Sequence, residues 1–310
     1  MGAGLFSSFM TGTWLEASIV AVAAGAVGFF VVVRGAAFAA HAIPQGAFTG
    51  AAGAALVGVN TLAGVGVFSF LAATAIARWG RRARRDVVTA LILVGLLGLG
   101  SLFLSMSLEY SAQTFSLLFG EPLAVGTGEL LPTGAIAAAC LALIVAMYRR
   151  LMLTSVAPEL AAARGVNPEN VETWFLLSVG AATTLALPVV GALLVFSLMI
   201  GPPSAARFIA RRPAAAVAVS VALALVTVWV AIAAAFYSGW PLGFFVGVLG
   251  VVWYLLGRLV HARTGDARST GDARSTGDAR STGDARSPAP QGPAAGAALR
   301  KALAPPGISS

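Results

Sequence analysis

The chain has 310 residues, of which 58% are apolar and only 10% charged, with a formal net charge of +8. A soluble domain carries about a quarter charged residues. A chain with a mean hydropathy of +0.88 cannot hide its apolar surface in one soluble core, so it reads as an all-α integral membrane protein. Its arginines flank apolar runs instead of forming a patch, which excludes a nucleic-acid partner, and the strand-and-turn alternation of an outer-membrane barrel is absent.

Residues 1–13 are expected to be a short extracytoplasmic N-terminus. They have no basic region, so the first apolar run is read as a span and not as a cleaved signal peptide. Apolar runs fall at 14–33, 36–59, 61–77, 87–107, 132–148, 171–187, 189–206, 214–236 and 242–258. A span takes about 20 residues and about 17 at the short end, so eight or nine transmembrane helices are expected. Glu16 is taken as the sole acid inside a span. The second run contains FAAHAIPQGAFTG, residues 38–50, in which His41, Gln45 and Thr49 are spaced by four and share one side of a helix. This polar seam either faces a functional space or bonds across to neighbouring helices. The single cysteine, Cys140, excludes a disulfide framework and a cysteine-based zinc site, and its apolar run assigns it to packing.

Basic residues cluster at Arg34, at Arg78–Arg85, at Arg149–Arg150, at Arg207 with Arg211–Arg212, and from Arg258 onward. Counted from an outside N-terminus, every cluster falls on the cytoplasmic side, as the positive-inside rule requires. The C-terminus is then cytoplasmic. The long outside connection 108–131 carries Glu109, Glu121 and Glu129 and no lysine or arginine. The runs 171–187 and 189–206 must be separate spans for this to hold, with Pro188 expected at the turn.

Residues 155–174, SVAPELAAARGVNPENVETW, are polar by comparison with their neighbours. PELAAARG predicts a short helix: Pro158 suits the first turn, Glu159 the positive end of the dipole, and Gly165 the exit. It is either a handle for a cytoplasmic partner or an ordinary connector. After 262 the chain changes character, since TGDARS repeats four times over 264–287 and a proline- and alanine-rich end follows. Each copy is neutral and lacks a large apolar residue, which predicts a disordered cytoplasmic extension over 263–310.

Four stretches, in order, resemble the zinc/manganese-type (ABC-3) permeases of bacterial metal-uptake ABC transporters. RGAAFAAHAIPQG, 34–46, is similar to the family's arginine-led segment ending in A-H-A-x-L-P-G. LLFGEPLAV, 117–125, resembles L-F-G-x-x-L-A-V. APELAAARGV, 157–166, follows D-P-E-L-A-x-x-x-G-V with Ala157 in place of the acid. VVGALLVFSLMIGPPSAARFIARRP, 189–213, resembles V-G-x-L-L-V-x-x-L-L-x-x-P-A-A-x-A-R. The matches cover the chain from about 14 to 260 and leave out only the tail.

The resemblance implies a homodimeric, multi-pass permease of the bacterial cell membrane, embedded in lipid. Its permease domain would run from 14 to 262, with a cytoplasmic coupling segment at 155–172. It would pair with cytoplasmic ATPase subunits and receive cargo from an extracytoplasmic metal-binding protein. The chain has no G-x-x-x-x-G-K-[ST] phosphate loop, so ATP hydrolysis is assigned to the partner, and no cofactor is expected on this chain. Pro158, Glu159, Leu160, Arg164 and Gly165 would form the ATPase coupling site. His41, Gln45 and Thr49 would line the translocation pathway, with His41 as a ligand for the cargo metal, zinc ahead of manganese. The family pairs that histidine with an Asp four residues earlier and with a second acid near the outer end of the last span, two residues before a proline. Here those positions are Ala37 and Gly239. Three other readings stay open: a membrane anchor or sensory subunit that kept the fold and lost the site, an importer of a metal complex, and an ion-coupled secondary carrier.

Overall fold

The computed structural model describes residues 8–80, 84–106, 130–210 and 212–281. The helices among these residues are α1 (Ser8–Val33), α2 (Ala37–Val57), α3 (Thr61–Trp79), α4 (Arg85–Ser105), α5 (Leu130–Val156), α6 (Pro158–Ala163), α7 (Pro168–Val190), α8 (Ala192–Ile209), α9 (Pro213–Ser238) and α10 (Leu242–Ser281). No strand occurs among the described residues, as expected where lipid offers the backbone no hydrogen-bond partner. The chain divides into two units, Met1–His261 and Ala262–Ser310.

Small residues let the helices of the first unit pack backbone to backbone. A Cβ on Gly25 of α1 would lie 2.9 Å from Val221 Cα of α9, and the Ser220 hydroxyl donates to the Gly25 carbonyl at 2.7 Å. A Cβ on Gly28 would run into the Met199 carbonyl of α8. Gly50 of α2 and Gly64 of α3 approach in the same manner. The main core gathers α1, α7, α8 and α9 around Phe30, Phe175, Leu176 and Met199.

Among the described residues, seven helices are long and apolar enough to cross a membrane: α1, α3, α4, α5, α7, α9 and the first part of α10. α2, diluted by His41, Gln45, Thr49 and its glycines, and the shorter α8 account for the other two apolar runs. Arg34 at the end of α1 meets Thr154 of α5 and Glu172 of α7, and Glu172 meets Arg85 of α4. Arg207 of α8 reaches the Val32 carbonyl. The arginine-bearing helix ends therefore share one end of the bundle, as the basic clusters predict.

One expectation is corrected. Pro188 does not form the turn between the sixth and seventh runs but lies inside α7. The break comes at Gly191, which is buried and has φ 85°. A proline only removes one N–H and kinks a helix, whereas this reversal needs a positive φ that glycine adopts without steric cost. In the second unit the backbone is helical as far as Ser281. Residues 282–310 lie outside the described ones.

Candidate translocation and coupling sites

The polar seam on α2 divides between two neighbours. His41 is half-buried and meets the Phe196 ring of α8 edge-on, with ring centres 5.1 Å apart and planes at 77°. Gln45 is 5% exposed. Thr49 is fully buried, and its hydroxyl donates to the Leu96 carbonyl of α4 at 2.5 Å. Eight residues of helix rotate the face by about 80°, enough to turn Thr49 from α8 to α4. Thr49 thus bonds across to a neighbouring helix.

At the two positions where the family resemblance expects carboxylates, the described residues have none. Ala37 stands one turn before His41, and Gly239 is an exposed helix C-cap with φ 70°. Among the described residues, no three His, Cys, Asp or Glu side chains gather where they could hold a metal ion. Glu16 is buried and accepts a hydrogen bond from Thr133 at 3.4 Å. Glu109, Glu121 and Glu129 lie outside the described residues.

The segment between α5 and α7 forms the short helix its punctuation predicts. α6 starts with Pro158 at its N-terminus and Glu159 in its first turn. It closes with a Schellman pattern: Gly165 takes φ 72°, its N–H bonds the Ala162 carbonyl at 3.0 Å, and the Val166 N–H bonds the Ala161 carbonyl at 3.0 Å. The Asn167 side chain then caps α7 by accepting from the Glu169 N–H at 2.9 Å. Only Ala161 of α6 is buried. Pro158, Glu159, Leu160, Arg164 and Gly165 are all exposed, with Leu160 at 45%. One loop thus presents an apolar side chain between an acid and a base, held on a stiff backbone.

Beside this segment lies a charged cluster that the sequence reading does not assemble. Arg34 donates from Nη2 to Glu172 Oε2 at 2.6 Å, and from Nη1 to Thr154 Oγ1 at 2.8 Å and Ser155 Oγ at 3.2 Å. Its guanidinium stands 5.2 Å from the centre of the Phe175 ring. Arg85 approaches the other Glu172 oxygen at 3.1 Å. Arg34, Arg85, Thr154, Ser155 and Glu172 line a cavity of about 440 Å³. Glu172, the second residue of the run 171–187, is a second acid within an apolar run beside Glu16. A carboxylate there needs a cation, and that was the available signal; its partner lies 138 residues away in sequence.

The chain matches the ABC 3 transport family (ABC-3) over residues 7–261. It belongs to that family. The manganese transport system membrane protein MntC of Listeria monocytogenes is 26% identical over 207 residues, covering 66% of this chain and 74% of the relative. The high-affinity zinc uptake system membrane protein ZnuB of Haemophilus influenzae is 28% identical over 214 residues, covering 67% and 79%. Among solved structures, PsaBC from Streptococcus pneumoniae in complex with Fab shares the fold. Its TM-score is 0.74 at 24% identity, covering 82% of this chain and 92% of that one. The ABC-3 match ends at residue 261, where the first structural unit also ends.

Proposed function

We propose that this chain is the membrane-spanning subunit of a bacterial ABC importer for a divalent transition metal. The observation that carries the reading is the family match over 7–261 together with a stiff, exposed α6 at the arginine-bearing end of the bundle. The named relatives include manganese and zinc systems, so the cargo is manganese or zinc, and the preference for zinc drawn from an unaccompanied histidine is given up. The arginine-bearing end faces the cytoplasm, with the N-terminus outside. α6 and the exposed residues around it dock on a cytoplasmic ATPase subunit, where ATP is hydrolysed. An extracytoplasmic binding protein delivers the metal, and a second copy of the chain completes the pathway.

The work of the chain is alternating access: ATP binding to the partner shifts the population between outward- and inward-open arrangements. His41 lines the pathway and offers one imidazole to the passing ion. One imidazole is a weak cage, because zinc sites ordinarily hold three or four protein ligands. Weak binding suits a permease that must release its cargo, so selectivity is assigned to the binding protein.

The test is the metal content of cells by elemental mass spectrometry. A metal-starved strain lacking this permease is compared with strains carrying the wild-type chain or His41→Ala. Restored manganese or zinc with the wild-type chain is the expected result, with a reduced content for the mutant. No restoration of either metal by the wild-type chain would overturn the importer reading. Full restoration by the mutant would make His41 a packing residue against Phe196.

A further inference from the structure

Arg34 occupies an unusual place relative to the coupling segment. Thr154 and Ser155 belong to the last turn of α5, where the segment begins, and Glu172, on α7, is its last residue. One guanidinium bonds all three. The segment 155–172 is therefore clasped at both ends by a single side chain.

Arg34 itself is fixed to the helix that carries His41. It lies in the three-residue connection between α1 and α2, seven residues before His41. The backbone there is pinned: Gly35 takes φ 65°, and the Ala36 N–H bonds the Val31 carbonyl at 2.9 Å. The Arg34 side chain is 11% exposed and the Glu172 side chain 9%, whereas Arg85 on the cavity rim is 50% exposed. A buried ion pair of this kind adds little net stability over an apolar filling, because desolvation offsets the attraction. It does fix one arrangement, since both charges lose their partners if the elements separate. Arginine suits the position because its planar fork reaches the Glu172 carboxylate and the two hydroxyls at once.

We infer that Arg34 is the positioning residue that ties both flanks of the coupling segment to α2, so that a displacement of α6 by a cytoplasmic partner reaches the helix bearing His41. This rests on the importer reading. The push enters at Glu159 and Leu160, travels through α5 and α7 into Thr154, Ser155 and Glu172, and crosses to Arg34. Phe175 backs the guanidinium, so the contact transmits compression as well as tension.

The test uses the full complex of permease, ATPase and binding protein in liposomes, supplied with manganese or zinc. The readout is metal ions moved per ATP hydrolysed, a ratio unaffected by how much complex assembles. Glu172→Gln keeps the shape and removes the charge; Arg34→Lys keeps the charge and loses the fork. For each, a fall of about tenfold in the ratio is expected, within the range of coupling energies between sites. A wild-type ratio in Glu172→Gln, even with less assembled protein, would overturn the proposal by reducing the cluster to a structural staple. If Glu172→Gln does not assemble, the Arg34→Lys ratio decides in the same way. Failure of the importer reading is distinct: the wild-type complex would then move neither metal.

Discussion

The Thr49 hydroxyl of α2 donates to the Leu96 carbonyl of α4 at 2.5 Å, with Thr49 wholly buried. Cross-helix bonds of this kind in membrane proteins contribute about 0.6 kcal/mol on average. Thr49→Val should therefore lower the melting temperature of the detergent-solubilised protein only slightly and leave metal uptake near wild type. A protein of unchanged stability with abolished uptake would return Thr49 to the pathway.

Two glycines should respond in opposite ways to the same small change. At Gly28 an added methyl meets the Met199 carbonyl and the Pro203 ring, whereas at Gly98 nothing lies within 4 Å. Gly28→Ala is expected to destabilise by about 1–3 kcal/mol, the range for overpacked cores. Gly98→Ala should be neutral or slightly stabilising, since alanine is the better helix former by about 1 kcal/mol. Thermal unfolding followed by the monodisperse fraction would compare the two.

The exit of α6 depends on Gly165, with its φ of 72° and its N–H bonded to the Ala162 carbonyl. Proline is locked near φ −65° and has no N–H, so Gly165→Pro should unmake the Schellman turn and misplace Glu159 and Leu160. Glu159→Lys should reverse the charge that the exposed face offers its partner. Both variants should reach the membrane yet lose metal-stimulated ATPase activity in the assembled complex. Normal stimulation in either would count against α6 as the coupling element.

Removal of residues 264–310 deletes the repeats and the end, and spares the part of the chain matched by the family. Uptake should stay at wild-type level in the metal-content assay. A truncated chain that reaches the membrane but does not transport would assign the tail a function.

Much of the architecture was legible along the chain because its causes are local. An apolar run of about 20 residues in lipid must close its own backbone hydrogen bonds, so each run became a helix. The arginine clusters followed the same one-dimensional logic, and their helix ends met at one end of the bundle. α6 was legible for a related reason: Pro158 and Gly165 set backbone torsions by their own covalent structure.

What only the tertiary structure decided is which surfaces meet. Spacing placed His41 and Thr49 on one side of α2, but α8 and α4 take different parts of that side, so one residue faces Phe196 and the other the Leu96 carbonyl. The reversal at Gly191 could not be told from Pro188, because both residues punctuate a chain and only the packing of α7 and α8 selects the one that turns. Arg34 and Glu172, 138 residues apart, are ordinary span-end charges until three helices and a loop converge. Nothing local distinguishes such a pair from a solvated one: its burial, and hence its grip on the coupling segment, exists only once the bundle has closed around it.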